Sequence, residues 1–291
     1  MIKNDLIIDV GMHRGEDTSY YLKKGYNVIA IDADPNTIKY VNKKFEEDLS
    51  KKKLKILNYA IADIDDLEVD FNISELSLWS SLKKDIADRN NLAKDIVKVK
   101  CKTLKTIFKT YGTPYYCKID IEGYDELCLE TLLGTSILPT FISVESECVG
   151  ENEVLSEEQA LGTLIKLSQL GYTKFKLVDQ TSLEVLKKEE DFYNHAQMLK
   201  FRMPNLTTKI INKIKKILGV GVPANSHRDQ INKKFNHNFS IGSSGPFGND
   251  LDGEWLDYES AKSCLLKHRK DYFNLPDSLN YGFWCDWHAT K

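Results

Sequence analysis

The sequence is short of several things, and each shortage excludes a class of protein. No apolar run approaches the 18 or more residues of a membrane-spanning helix. Cationic excess is missing too: 40 Lys plus Arg stand against 43 Asp plus Glu, a formal net charge of −3, which argues against a dedicated nucleic-acid binder. None of the six cysteines forms a CxxC pair, so the spacing of structural zinc is absent. The histidines (13, 195, 227, 237, 268 and 288) lack HExxH or paired ligand spacing, so no required metal is expected, with Mg²⁺ on strand-end carboxylates as the alternative. Residues Met1 to Asp5 show no signal-peptide run or cleavage site. Six free thiols and no leader give the expectation of a cytoplasmic protein. Disorder is excluded by the 42% of hydrophobic residues, ordinary for a globular chain.

What is present begins with Leu6-Ile-Ile-Asp-Val10, a short β-branched run that reads as a buried strand. Gly11-Met-His-Arg-Gly15 follows, then a helical stretch stopped by Gly25. A second strand, Asn27 to Ile31, runs into Asp32-Ala-Asp-Pro35. Strand, Gly-rich turn, helix, strand and acid make half of a nucleotide-binding βαβ unit. Gly11 and Gly15 would let backbone approach a ligand, and Asp32 would accept ribose hydroxyls. The dinucleotide fingerprint needs a Gly where His13 stands, so the turn suits a ligand with a ribose and no phosphates, such as S-adenosylmethionine. A third strand, 54–59, leads to Asp63, read either as an adenine-side acid or as a turn residue.

Further on, Tyr115 to Ile119 is a buried strand ending in Asp120-Ile-Glu-Gly123, and Thr140 to Val144 ends in Glu145. Ligands of open α/β sheets lie at the carboxyl ends of strands, where Asp9, Asp32, Asp120 and Glu145 all fall. Asp120 is the first candidate for a general base or acceptor orienter, with Glu122 beside it. Glu145 is a candidate for acceptor binding, and His13 for the methionine end or the acceptor. The bland alternative for the acids is to cap the next helix or pair with Lys118.

These strings resemble the FkbM family of class I S-adenosylmethionine-dependent methyltransferases. Asp9-Val-Gly-Met-His-Arg-Gly-Glu-Asp-Thr18 is similar to its first motif, Ile31 to Pro35 to its ribose-acid stretch, and Asn58 to Asp63 to its adenine-side motif. Lys118-Ile-Asp-Ile-Glu-Gly123 with Leu132-Leu-Gly134 is similar to its most distinctive signature. His13-Arg14 depart from the Asn-Ile-like pair common there. The resemblance implies S-adenosyl-L-methionine as cofactor, held by Asp9, Gly11, Gly15, Asp32, Asp63 and Asp120. It also implies methyl transfer to a small-molecule or glycan acceptor, often a hydroxyl of a carbohydrate or secondary metabolite. N-methylation of an amide or peptide side chain, an NAD-linked oxidoreductase and a non-catalytic binding module on the same fold are the alternatives. The expected fold is α/β: a Rossmann-like, mostly parallel sheet with an antiparallel last strand, plus a C-terminal helical and loop extension.

Residues 1–203 are read as the cofactor-binding domain, with 196–201 as the last strand, and 204–291 as an extension packed on it. Strands at 67–71 and 97–101 would form an extra ribbon, and 157–170 an amphipathic helix. Residues 205–218 carry isoleucines on one helical face and lysines around it, which suits either packing on the domain or peripheral membrane contact. Ile241 to Gly248 is expected to be loop. The aromatic tail around Trp284 and Trp287 must bury. It would either form part of the acceptor pocket, through Asp286 and His288, or cap a sheet edge. Oligomeric state is not encoded.

Overall fold

The computed structural model describes residues 1–75, 80–88, 91–146, 155–189, 227–240, 242–274 and 284–291. Strands are β1 (Ile2–Val10), β2 (Asn27–Asp32), β3 (Leu54–Asn58), β4 (Ala60–Ile61), β5 (Glu68–Ser74), β6 (Ala93–Lys102), β7 (Thr113–Ile119), β8 (Phe141–Glu145), β9 (Lys174–Asp179), β10 (Glu184–Val185) and β11 (Cys285–Thr290). Helices are α1 (Glu16–Lys23), α2 (Pro35–Lys44), α3 (Glu46–Ser50), α4 (Lys84–Ala87), α5 (Leu104–Tyr111), α6 (Asp125–Glu130), α7 (Glu157–Ala160), α8 (Gly162–Gln169), α9 (His227–Phe235) and α10 (Tyr258–Phe273).

Eight strands form the main sheet in the order β10-β9-β11-β8-β7-β1-β2-β3. β3, β2, β1, β7 and β8 pair in parallel, while β11 runs antiparallel to both β8 and β9. This is the mostly parallel, doubly wound sheet expected from the βαβ spacing. Its parallel strands are buried on both faces, as helix-covered strands must be, and Ile7, Ile8 and Val10 are wholly enclosed. β4, β6 and β5 make the extra ribbon.

Local chemistry sets the helix starts. Pro35 occupies the first turn of α2, and the Asp34 side chain caps it by accepting from the Asn36 N–H at 2.8 Å. Thr103 caps α5 by accepting from the Thr106 N–H at 3.1 Å. The helix expected over 157–170 is broken at Leu161 into α7 and α8, with a full capping box at Ser156 and Gln159.

The last strand differs from the sequence expectation. Residues 196–201 and the basic segment 205–218 lie outside the described residues, as does the 203/204 boundary. The antiparallel place between β8 and β9 is filled by Cys285–Thr290, pairing Trp287 with Val144 on one side and Leu177 on the other. The tail is thus an inner strand and not a cap on the sheet edge. Both faces of β11 are covered, so its alternation of polar and apolar residues does not mark an exposed face: Cys285, Asp286, Trp287, His288 and Ala289 are all buried.

The Gly-Ser loop returns to the first helix. Asp17 accepts from the Ser244 and Gly245 N–H groups, and Phe247 stacks on Tyr116 with centroids 4.0 Å apart. No helix among the described residues is long and apolar enough to cross a membrane.

Candidate active site

The carboxyl ends of β1, β2, β7 and β8 open into one cleft. Gly11, His13, Asp32, Asp120, Glu122 and Glu145 line it. Six of the candidates read from the sequence therefore meet there. Asp9, Gly15, Asp63, Asp286 and His288 are not among the lining residues. Asp9 is fully buried, accepting from the Thr18 hydroxyl at 2.5 Å and facing Lys118 Nζ at 3.7 Å. Asp63 is exposed. His288 is buried in β11, opposite Ser143 and Lys176, and desolvation lowers its imidazole to about 3.

The glycine turn has an intramolecular reason for its glycines. A Cβ on Gly11 would lie 1.7 Å from the Asp120 carbonyl oxygen, and one on Gly15 would lie 2.4 Å from the Phe45 ring. Both have positive φ, 78° and 73°. The turn is also closed as a hydrogen-bond donor. Gly11 and Met12 N–H groups donate to the Ile31 carbonyl at 2.9 and 3.0 Å, and the His13 N–H donates to Asp32 at 2.9 Å. A pyrophosphate needs such N–H groups free. Here they are committed, and Glu16 and Asp17 put negative charge in the first turn of α1. The cradle of a dinucleotide is absent from this turn.

Asp32 lines the cleft beside the glycine turn. Its carboxylate also accepts from the Asp34 N–H at 2.9 Å, and burial pushes it up to about 6. Apolar Ile31, Ala60, Ile61 and Phe71 flank it, a lining suited to a flat purine. His13 takes a left-handed conformation, φ 47°, with its ring 3.5 Å from Glu16.

At the other end, Lys118 ties the acids together. It is buried, with Nζ 3.3 Å from Asp120, 3.6 Å from Asp17 and 3.7 Å from Asp9, and it donates to the Gly11 carbonyl at 3.1 Å. Asp120 both lines the cleft and pairs with Lys118. Asp125 was not singled out in the sequence. It accepts from the Ile121 and Gly123 N–H groups at 3.1 and 3.0 Å and so fixes the turn carrying Glu122, whose φ is 53°. Its position two residues beyond a Glu-Gly turn was the available signal. Burial, then the charge of Asp120, raises Asp125 to about 7. Glu145 is pushed well above the usual carboxylate range by burial and by Glu122, Asp120, Asp125 and Asp286.

Gln180 and Ser146 also line the cleft and were missed; Trp284 of the aromatic tail and Gly242 of the 241–248 loop line it too, from the two segments that the sequence placed at an acceptor pocket. They come from loops whose proximity only the sheet order creates. Arg228 of α9 holds this corner, donating to the Thr181 carbonyl at 2.8 Å and the Phe239 carbonyl at 3.1 Å. No group of three or more His, Cys, Asp or Glu among the described residues is placed to hold a metal ion.

The model of the methyltransferase FkbM domain matches residues 9–173, which contain the turn, both strand-end acids and the Asp120 loop. The chain belongs to the FkbM methyltransferase family. No curated protein matches it. Among solved structures it is similar to a SAM-dependent methyltransferase from Geobacter sulfurreducens in complex with S-adenosyl-L-homocysteine. That match has 11% identity and a TM-score of 0.38, covering 100% of this chain and 86% of that one. It is also similar to a precorrin-6y C5,15-methyltransferase from Geobacter metallireducens, at 10% identity and a TM-score of 0.33, covering 62% and 71%. A third is phosphoethanolamine N-methyltransferase 2 of Haemonchus contortus in complex with S-adenosyl-L-methionine, at 11% identity and a TM-score of 0.36, covering 100% and 49%.

Proposed function

We propose that this FkbM methyltransferase transfers the methyl group of S-adenosyl-L-methionine to a hydroxyl of a carbohydrate or secondary metabolite. The observation that carries the reading is the union, in one cleft, of Asp32 at the end of β2, beside a phosphate-incompetent turn, and Asp120 at the end of β7, with β1 between them. The residues fit the cofactor. Asp32 has lone pairs left for ribose hydroxyls, and Ile31, Ala60, Ile61 and Phe71 offer an apolar slot. When bound, the sulfonium supplies an already activated methyl carbon.

The protein's part is then alignment and proton handling. Asp120 accepts the hydrogen bond of the acceptor hydroxyl and takes its proton. Lys118, anchored on the Gly11 carbonyl, holds the Asp120 carboxylate in place. Glu122, on the same loop, faces the acceptor from a turn that Asp125 makes rigid.

The test has two stages. Calorimetry with S-adenosylhomocysteine and with NAD should show binding of the first alone. Transfer of a labelled methyl group to a panel of glycans and small hydroxylated metabolites should then give base-stable methyl ethers. Binding of NAD in place of S-adenosylhomocysteine would overturn the reading, as would label found only on nitrogen.

A further inference from the structure

Along the rim of the sheet, Asp120 divides the cleft into two sides. Asp32 ends β2, two strands from β7 in one direction. In the other direction Ser146 follows β8, Trp284 precedes β11 and Gln180 follows β9, and all three line the cleft. Neighbouring strands lie about 4.8 Å apart, so these three ends span roughly 10 Å beside Asp120, room for one hexose ring with its substituents. Backbone bonds hold the three ends together. The Ser146 N–H donates to the Cys285 carbonyl at 2.8 Å, and the Gln180 N–H donates to the Trp284 carbonyl at 2.9 Å.

The groups this side offers are uncharged. Ser146 is 2% exposed, and its hydroxyl has no hydrogen-bond partner among the described residues, an arrangement that a ligand hydroxyl would satisfy. Gln180 donates its side-chain amide to Asp286 at 2.5 Å, which fixes the amide plane, and no donor among the described residues reaches its side-chain carbonyl oxygen. Trp284 is 37% exposed, an open aromatic surface at the cleft. The neighbouring acids add little charge: burial favours the protonated forms of Glu145, Asp125 and Asp286, and Asp120 is paired with Lys118. An aromatic face flanked by a hydroxyl and an amide oxygen complements a ring with an apolar C–H face and hydroxyls at its edge. A carboxylate or an ammonium would give up its hydration for partners that carry no opposing charge. A flat phenol would cover the indole yet bring a single hydroxyl to two sites.

We propose that Ser146, Gln180 and Trp284 determine acceptor specificity by selecting an uncharged pyranoside unit. One C–H face of the ring packs on the Trp284 indole, and two neighbouring hydroxyls bond the Ser146 hydroxyl and the Gln180 side-chain oxygen. The next hydroxyl around the ring then reaches Asp120, one strand away from Ser146. This rests on the methyltransferase reading above and narrows its acceptor from hydroxylated metabolites in general to a single neutral sugar ring.

The experiment uses the full chain saturated with S-adenosylhomocysteine, read by saturation-transfer NMR. The probes are the methyl pyranosides of glucose, galactose, mannose and rhamnose, set against methyl glucuronide, methyl 2-amino-2-deoxyglucoside and hydroquinone. At least one neutral pyranoside is expected to bind about tenfold or more tightly than the charged probes and hydroquinone, with saturation concentrated on the protons of one ring face. Trp284→Ala should abolish that facial pattern. Ser146→Ala and Gln180→Leu should each weaken binding by about threefold to tenfold. All three variants, checked for fold by circular dichroism, should keep the parent's affinity for S-adenosylhomocysteine, because Asp32 lies across β7 from them. The probe comparison on the parent decides the matter even where a variant fails to fold. Binding of no neutral pyranoside, equal or tighter binding of a charged probe or of hydroquinone, or a facial pattern that survives Trp284→Ala would overturn the subsite. Failure of the parent to bind S-adenosylhomocysteine is a separate result: it would reject the methyltransferase reading whatever the probes do.

Discussion

Asp17, in the first turn of α1, accepts hydrogen bonds from the backbone N–H groups of Ser244 at 3.0 Å and Gly245 at 3.2 Å. One buried carboxylate thereby joins the cofactor turn, Lys118 and the C-terminal Gly-Ser loop. Asp17→Ala removes the acceptor for two buried donors and one partner of Lys118. A loss of about 1–3 kcal/mol for each donor left unsatisfied is expected. Urea denaturation checks this, and an unchanged midpoint would mean that stacking of Phe247 on Tyr116 alone holds the loop.

Gly11 is tied to Asp120 by space. With a Cβ only 1.7 Å from the Asp120 carbonyl oxygen, Gly11→Ala must displace the Asp120 loop or unfold β1 against β7. Gly134 shares a positive φ, 73°, yet has nothing within 4 Å of a built Cβ. Gly134→Ala should therefore cost only the left-handed penalty of about 1–2 kcal/mol, while Gly11→Ala costs several times more. Thermal melts of the two variants side by side decide the matter, and equal shifts would show that the β1 turn can yield.

These two sites show what was legible. The strand, turn, helix, strand, acid order is written locally, in apolar runs and in residues with fixed backbone preferences such as Gly25 and Pro35. The capping of α5 by Thr103 was equally local. Sheet order is not local. Nothing in Cys285-Asp-Trp-His-Ala289 states that it pairs with residues 141–145 and 174–179. With both faces covered, its polar residues looked like pocket groups when they are buried ones. The reason for Gly11 was hidden in the same way, because the neighbour that forbids a side chain lies 109 residues on. Helix α10 carried a readable pattern, with Asp257 as its cap and Ala261, Cys264, Leu265, His268 and Tyr272 buried along one side. It followed a Gly-rich stretch that drew attention to loop.

The tail gives a third prediction. Truncation after Leu279 deletes β11 and leaves the facing edges of β8 and β9 unpaired inside the sheet. It also removes Trp287, which is wholly buried. Sequence alone left two outcomes open: a folded protein lacking activity if the tail forms the acceptor pocket, and insoluble protein if it caps the sheet. The structure calls for insoluble or unfolded protein, since unpaired buried strand edges are costly. A soluble, cooperatively folding truncation would show that the sheet closes without β11.

Asp32 supplies the fourth. Asp32→Ala removes the acceptor for the His13 and Asp34 N–H groups and, on the function proposed above, for the ribose hydroxyls of the cofactor. Affinity for S-adenosylhomocysteine should fall by roughly tenfold to a hundredfold, equivalent to about 1–3 kcal/mol. Calorimetry reads it directly. Equal affinities in variant and parent would move the ribose contact elsewhere in the cleft.

Stability should depend on pH through two opposing sets of buried groups. Burial, followed by the charge of Asp120, raises both Asp125 and Asp286 from an ordinary 3.8 to about 7. Each keeps its proton in the native state while the unfolded chain releases it near 3.8. Their stabilising contribution is full below that value and is lost as pH rises toward 7. His288 works the other way. Burial lowers it from 6.5 to about 3, so the unfolded chain takes up a proton that the native state refuses, and stability is lost as pH falls below 6.5. Between pH 4 and 6.5 the slopes oppose, at up to about 1.4 kcal/mol per pH unit for each group. Asp286→Asn removes one of the terms that fall with pH. Measured by urea denaturation from pH 4 to 7.5, the variant should gain on the parent steadily as pH rises and level off above 7. A constant difference across that range would show that Asp286 is ionised throughout, with Gln180, whose side-chain amide donates to it at 2.5 Å, and Lys118 together holding its charge.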